Sequence, residues 1–384
     1  MTDGRRAVAA TLLAALAASQ AALVVLNPVL PEIASDFEVS VATAGQLRTV
    51  SGLIAGATAL AAGLLAARIG LRELLGLGLG TLALGSILSA AAPSFAALAA
   101  AQALVGAGIG MSYSVAVAAA AEWVAPEARS RVLSIVLLGP PVAWIVGMPA
   151  VGFLGEASWR LAWIVVPLVP VVAASVLLVR RPSTPPAEVR AGLRSVLRQA
   201  GVARWSTGEL LAFSGWAGSL VFMGALFVES YDLSIAATGL ILGFGALVYV
   251  PGNLLFRRWV DEHDRLLLVG LALASACTVV VLGAVRESLW LSIALFGILS
   301  FLGGGRTLAG GARSLHLAPA LRLGVTGVRT AALQLGYFVG SAVGGAALGA
   351  GGYPGLGVAL GGLFVAATIP HLAPTARSPS APLR

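Results

Sequence analysis

The chain has 384 residues, 58% of them hydrophobic and only 10% charged, with a mean hydropathy of +0.95. A soluble domain carries about 25% charge, so this chain cannot clothe itself in polar surface and its solvent must be lipid. The net charge of +8 does not indicate nucleic acid, because every basic residue is Arg and these lie mostly in short gaps between apolar runs, where basic residues orient a membrane protein.

A helix that spans a membrane needs about 20 apolar residues. Twelve stretches qualify: 7–30, 43–67, 74–92, 94–120, 132–154, 159–179, 207–228, 236–256, 265–285, 289–312, 323–348 and 352–372. The first follows Arg5-Arg6 but runs too long for a signal-peptide core, and no cleavage site leads into a soluble body. The longest polar interval, 180–206, is rich in Arg and Pro, and its middle, Val189 to Ala200, reads as an amphipathic helix on the membrane surface. The expected organisation is an all-α membrane protein of twelve transmembrane helices in two pseudo-symmetric six-helix bundles. The bundles would be 1–179 and 207–384, the latter with a short tail, joined by a cytoplasmic linker at 180–206.

Two internal pairs support the duplication. Gly63 to Arg68 and Gly252 to Arg257 have the same five-residue spacing (68 − 63 = 257 − 252) at an offset of 189. Gly110 and Pro126 match Gly303 and Pro319 at an offset of 193 (303 − 110 = 319 − 126). Duplicated bundles in lipid are the architecture of secondary transporters, with the substrate site between the halves. Alternate gaps divide into an Arg-rich set and an acidic set (Glu32, Asp36, Glu38, Glu156, Glu229, Asp232, Glu287). The positive-inside rule then places both termini in the cytoplasm of a multi-pass inner-membrane protein.

Ionisable residues within spans need a reason, since a mid-bilayer charge costs ~3 kcal/mol or more. Arg306 lies 13 residues before Pro319 (319 − 306), after Gly303-Gly304-Gly305. It is the leading candidate to face the cavity and pair a carboxylate, phosphate-like or carbonyl group of a substrate; the alternative is snorkelling or binding helix-end carbonyls. Arg48 lies 20 residues before Arg68 (68 − 48) and is expected to snorkel to the outer interface. The alternative for Arg48 is a gate pair with Glu32, Asp36 or Glu229. Arg329, seven residues past Arg322, is expected to reach the inner interface. Glu209 resembles a proton site, but Ser206-Thr207-Gly208-Glu209 fits a capping box better.

Gln20, Gln102, Tyr113, Trp216, Gln334 and Tyr337 are the softer candidates to shape the cavity. Trp159, Trp205, Trp259 and Trp290 sit at span ends and read as interfacial anchors. The ladder Gly336, Gly340, Gly344 reads as close helix packing. Gly139-Pro140-Pro141 and Pro149 should kink the fifth span.

Lone Cys277 excludes a disulfide framework, His263, His316 and His371 have no metal spacing, and no Walker loop occurs. No enzyme activity and no cofactor are expected. The expected partners are a small-molecule substrate and the bilayer, without nucleic acid, in a monomer.

These residues resemble a family. Gly63-x-Leu65-Ala66-x-Arg68-x-Gly70-x-Arg72, Leu98-x-x-x-Gln102-x-x-x-Gly106-x-Gly108, Gly139 with Gly147-Met148-Pro149-x-x-Gly152, Ser158-Trp159-Arg160-Leu161-Ala162-Trp163 and Asn27-Pro28-Val29-Leu30-Pro31-Glu32-Ile33 are similar to motifs of the major facilitator superfamily. The closest likeness is to its twelve-span drug and sugar-efflux antiporters (arabinose-efflux and chloramphenicol-exporter type). The resemblance implies alternating access, a cavity lined by spans one, four, seven and ten, and gating roles for Gly63, Arg68, Gly70, Arg72, Gly147 and Pro149, to which Arg48 is added as a gate candidate. The chain departs from the pattern at Ala67, where an acid is usual, at Gln102, where Arg is usual, and in a first span without an acid. These exchanges keep hydrogen bonding and remove titratable charge, which counts against proton antiport. The expected function is export of a small organic molecule; the alternatives are an uncoupled or anion-linked facilitator or importer, or a transporter-derived sensor.

Overall fold

A computed structural model describes residues 3–66, 68–180, 193–317 and 322–372, and they are helical throughout apart from short turns. The first half holds α1 (Asp3–Val24), α2 (Leu26–Asp36), α3 (Val41–Ala66), α4 (Leu71–Ala90), α5 (Phe95–Glu122), α6 (Pro126–Val136), α7 (Gly139–Ala157) and α8 (Trp159–Val179). A short α9 (Leu193–Leu197) precedes α10 (Val202–Tyr231), α11 (Ile235–Leu255), α12 (Val260–Ala284), α13 (Leu289–Leu317), α14 (Arg322–Ala366) and α15 (Ile369–Leu372).

Ten of these segments are long and apolar enough to cross a membrane, among the described residues. The 26-residue α3 has the same character, and non-helical backbone at Gly351 and Gly352 divides α14 in two. Twelve spans result. The face where α1 starts and α15 ends is called the near face below, and the opposite one the far face.

Local chemistry sets the breaks. Proline lacks the N–H that closes a helical turn, so Pro28 leaves the Val24 carbonyl without its donor and the first span is interrupted between α1 and α2. The fifth span breaks at Leu137-Leu138, ahead of Gly139-Pro140-Pro141, while Pro149 lies inside a continuous α7. At the far face, Ser94, Ser158 and Ser234 accept backbone N–H bonds from Ala97, Arg160 and Ala237 and so cap α5, α8 and α11. The capping box at Ser206 does not form. Helix α10 begins four residues earlier at Val202, Ser206 is interior to it, and its hydroxyl donates to the Ala203 carbonyl.

The halves meet along α3 against α14 and α7 against α11. Small residues permit this approach. Gly152 and Gly239 face each other, the Pro149 ring covers Gly243, and a side chain at Gly52 would collide with the Tyr337-Phe338 backbone. Hydrogen bonds between the halves gather toward the far face: Gln46 to the Ser341 carbonyl (3.3 Å), Thr49 to Ser341 (3.0 Å), and the Ala236 N–H to Glu156 (3.2 Å). The Gly336, Gly340 and Gly344 ladder packs α14 onto α10 as expected, against Phe213, Ser214 and Phe222.

Two expectations about the interfaces change. Trp259 and Trp290 are exposed, as anchors should be, but Trp159 and Trp205 are buried. Of the expected linker helix 189–200, residues 189–192 lie outside the described residues, and the helix ends at Leu197 rather than Ala200. It is docked by Val196, which packs with Val202, Trp205, Val325 and Val328 of the second half.

Candidate functional site

The charged centre of the second half is built from three helices. Glu209 of α10 is fully buried, with Arg306 of α13 donating Nη1 to its Oε1 at 2.5 Å and Arg329 of α14 donating Nε to its Oε2 at 3.1 Å. Two further donors are used: Arg306 Nη2 reaches the Gly208 carbonyl (3.1 Å) and Arg329 Nη2 the Thr307 carbonyl (2.6 Å). Gly310 makes room for this, since a Cβ there would overlap the Glu209 carboxylate. Glu209 is seven residues into α10 (209 − 202), roughly 10 Å from the near face at 1.5 Å per residue.

Two sequence expectations, for Glu209 and Arg329, and one alternative reading, for Arg306, are corrected here. Glu209 is a buried ion-pair partner, not a cap. Arg329 turns inward to it instead of reaching the interface. Arg306 does not snorkel, and its guanidinium is held by a carboxylate of the same half. The glycine run before it serves helix approach: Gly303 lies on the Trp216 ring and Gly304 on the Tyr249 backbone.

The electrostatic sum matters. Among the described residues, no other acid touches either guanidinium, so two positive charges share one negative charge. A net charge of +1 stays buried, and a charge at depth in a bilayer costs ~3 kcal/mol or more.

Above this centre lies an aromatic layer that links the halves. The Tyr249 ring sits 5.8 Å from Trp144 and 5.8 Å from Trp216, and Phe213 meets Tyr337 edge-on at 5.4 Å. Tyr113 and Tyr249 lie within electrostatic range of Arg329. Trp144 donates its indole N–H to Gln20 at 3.2 Å. Trp216 Nε1 and Tyr337 Oη in this layer, and Arg306 Nε in the charged centre below it, are buried without a protein partner. Trp144, Tyr249 and Phe213 were not singled out from the sequence. The nearest available signal was a mid-span aromatic residue in each of three helices.

Arg48 does not snorkel. It is 1% exposed, donates to the Leu23 carbonyl beside the α1–α2 break, and places its guanidinium 5.7 Å from the Tyr337 ring centre. The gate pair with Glu32, Asp36 or Glu229 is absent as well: Asp36 is bound by Arg160 (2.9 Å) and Trp159 (3.1 Å), and Glu229 by the Tyr353 hydroxyl (2.7 Å). Gln102 stands apart from the aromatic layer and bonds Ser89 of α4 at 3.0 Å. Gln334 is buried in α14, one turn before Tyr337.

Of the gating candidates, Arg72 ties α4 to the end of α8, donating to the Leu178 and Val179 carbonyls (3.4 and 3.3 Å) within one half. Gly70 is the extended N-cap of α4, Arg68 is exposed, and Gly147 meets Val24. Gly63 and Ala67 lie outside the residues described in this detail.

A family model for the Major Facilitator Superfamily matches residues 12–280. A D-xylose-proton symporter structure superposes with a TM-score of 0.77 at 16% identity, covering 97% of this chain and 98% of that one. The human organic anion transporter MFSD10 (TETRAN) gives 0.72 at 16% identity over 96% and 99%. A bacterial homologue of the human lysosomal transporter Spinster, inward-facing and unoccupied, gives 0.70 at 14% over 96% and 95%. At these identities the likeness is one of fold. With more than half its length matched by the family model and twelve spans in two bundles, the chain belongs to the Major Facilitator Superfamily.

Proposed function

We propose that this secondary transporter moves a small organic anion out of the cytoplasm by alternating access, with its near face cytoplasmic and its halves divided at 180–206. The observation that carries the anion is the buried excess of one positive charge at Arg306, Arg329 and Glu209. A substrate carboxylate or phosphate-like group would neutralise it and bond Arg306 Nε, while Trp216 and Tyr337 offer donors and apolar ring surface. The fold of an organic anion transporter among its structural likenesses is consistent with this substrate class. Export follows from the motif resemblance to efflux antiporters.

Proton-linked uptake is the second reading, and one contact favours it. Glu209 touches both guanidiniums. A proton on Glu209 would leave two unneutralised guanidiniums and strengthen anion binding, so proton and anion would travel together. That sign differs from the competition an antiporter needs.

Flux of radiolabelled organic anions in proteoliposomes tests both readings. Counterflow of an anion, lost in Arg306→Ala, supports the anion carrier. Uptake accelerated by an acidic exterior and made pH-insensitive in Glu209→Gln selects proton-linked uptake over export. Transport of cations or neutral drugs that persists in Arg306→Ala overturns the substrate class.

A further inference from the structure

A second cationic feature lies at the near face, outside the aromatic and charged centre. The start of α10 (Gly201, Arg204, Trp205), Arg265 of α12, the end of α13 (Arg313, Leu317) and α15 (Pro370, His371) line a small recess with about 20 Å³ of interior space behind an open mouth. Three guanidiniums line it. Asp264 bonds Arg313 at 3.2 Å, and Arg265 clasps the His371 and Leu372 carbonyls. In its wall, Trp205 Nε1 and His371 Nε2 are buried without a partner, in residues 2% and 7% exposed.

The other half shows what the clasp alone requires. An offset of 193 carries Arg72, Leu178 and Val179 onto Arg265, His371 and Leu372 (265 − 72 = 371 − 178 = 372 − 179), and the same clasp forms there. Yet the counterparts of Arg204, Arg313 and His371 are Thr11, Ala120 and Leu178. The clasp therefore does not explain the added cations. The sequence neighbours of the lining residues point to who could use them: Leu266, beside Arg265, and Ile369 and Leu372, which flank Pro370-His371, are 68%, 65% and 61% exposed, at span ends where acyl chains would lie.

We propose that this recess binds a phosphate-type oxyanion, supplied by the headgroup of an anionic phospholipid in the leaflet at the near face. Guanidiniums match phosphate geometry with paired N–H donors, the indole N–H adds a neutral donor, and the exposed Leu266, Ile369 and Leu372 receive the chains. His371 packs on Gly208, whose carbonyl holds Arg306, so an occupant would also brace the charged centre.

Short-chain phosphatidylglycerol, short-chain phosphatidylcholine and inorganic phosphate, titrated onto purified full-length protein in detergent and read by thermal unfolding, test this. Phosphatidylglycerol should stabilise saturably, with an apparent Kd that rises about tenfold or more in Arg204→Gln and in Arg313→Gln and stays close to wild type in Arg204→Lys. In unaltered protein the affinity should fall as NaCl is raised, a readout that needs no variant to fold. Equal stabilisation by phosphatidylcholine, unchanged affinity in both Gln variants, or indifference to salt overturns the site. Inorganic phosphate binding as tightly as phosphatidylglycerol overturns the lipid as its source.

Discussion

The two halves are built on one frame and differ at its centre. The offset of 193 superimposes α8 (Trp159–Val179) on residues 352–372 and α5 on residues 288–315, where α13 begins at Leu289. Peripheral interactions repeat in kind. The Arg72 clasp has its copy in Arg265. At the far face Asp36 bonds Arg160, and the equivalent Glu229 bonds the equivalent Tyr353 (229 − 36 = 353 − 160 = 193). Gln20 with Trp144 corresponds to Phe213 with Tyr337 (213 − 20 = 337 − 144 = 193), a hydrogen bond in one half and a ring contact in the other.

The centre does not repeat. Glu209, Arg306 and Arg329 correspond to Leu16, Tyr113 and Val136. Since the first half folds on the same frame with uncharged residues there, the frame does not require the charges. Buried ion pairs are weak contributors to stability, and well-packed apolar replacements are often neutral or better. That is the ground for proposing that these charges bind a ligand.

The largest expected effect comes from unbalancing that centre. Glu209→Leu leaves two guanidiniums unneutralised and should cost about 3–5 kcal/mol in thermal unfolding. Adding Arg306→Tyr and Arg329→Val, which copies the first half's residues, should recover most of that loss while removing anion binding. A triple variant no more stable than Glu209→Leu would break the comparison.

A middle effect belongs to the clasps. Arg72→Ala and Arg265→Ala each remove charged bonds to helix-end carbonyls and should cost about 1.5–3 kcal/mol, alike in the two halves by thermal unfolding. A loss confined to Arg265→Ala would show the second clasp carrying more than its copy does.

The smallest effects lie at the far face. Asp36 and Arg160 have side chains 45% and 37% exposed, so Asp36→Asn should cost about 0.2–1 kcal/mol. Tyr353→Phe, which removes one donor from the Glu229 carboxylate, should cost about 1.5 kcal/mol. Unfolding of the two variants in parallel checks the order.

Much of the frame was legible in the sequence because lipid imposes a length on every span and prolines, glycines and arginines punctuate the gaps. The stretch 159–179 agrees with α8 at both ends. The centre was harder to read. Sequence distance placed Arg329 near an interface and Glu209 at a helix start, because neither linear position reveals that α10, α13 and α14 converge. The stretch before 207 is polar, which hid the true start of α10 at Val202. Arg48 was misplaced for a related reason: the first span is interrupted after Val24, and the buried arginine donates to the Leu23 carbonyl beside that break, a partner its linear position does not reveal.

The central claim is that the unmatched positive charge at Arg306 and Arg329 is an anion site. Its most direct test is ligand-induced thermal stabilisation of wild type against Arg306→Ala, over a library divided into organic anions, cations and neutral drugs, since a ligand of the folded state raises the melting temperature. The account predicts that anions stabilise the wild type and that Arg306→Ala loses the response. Equal stabilisation of both proteins by cations or neutral drugs, with none by anions, would contradict it.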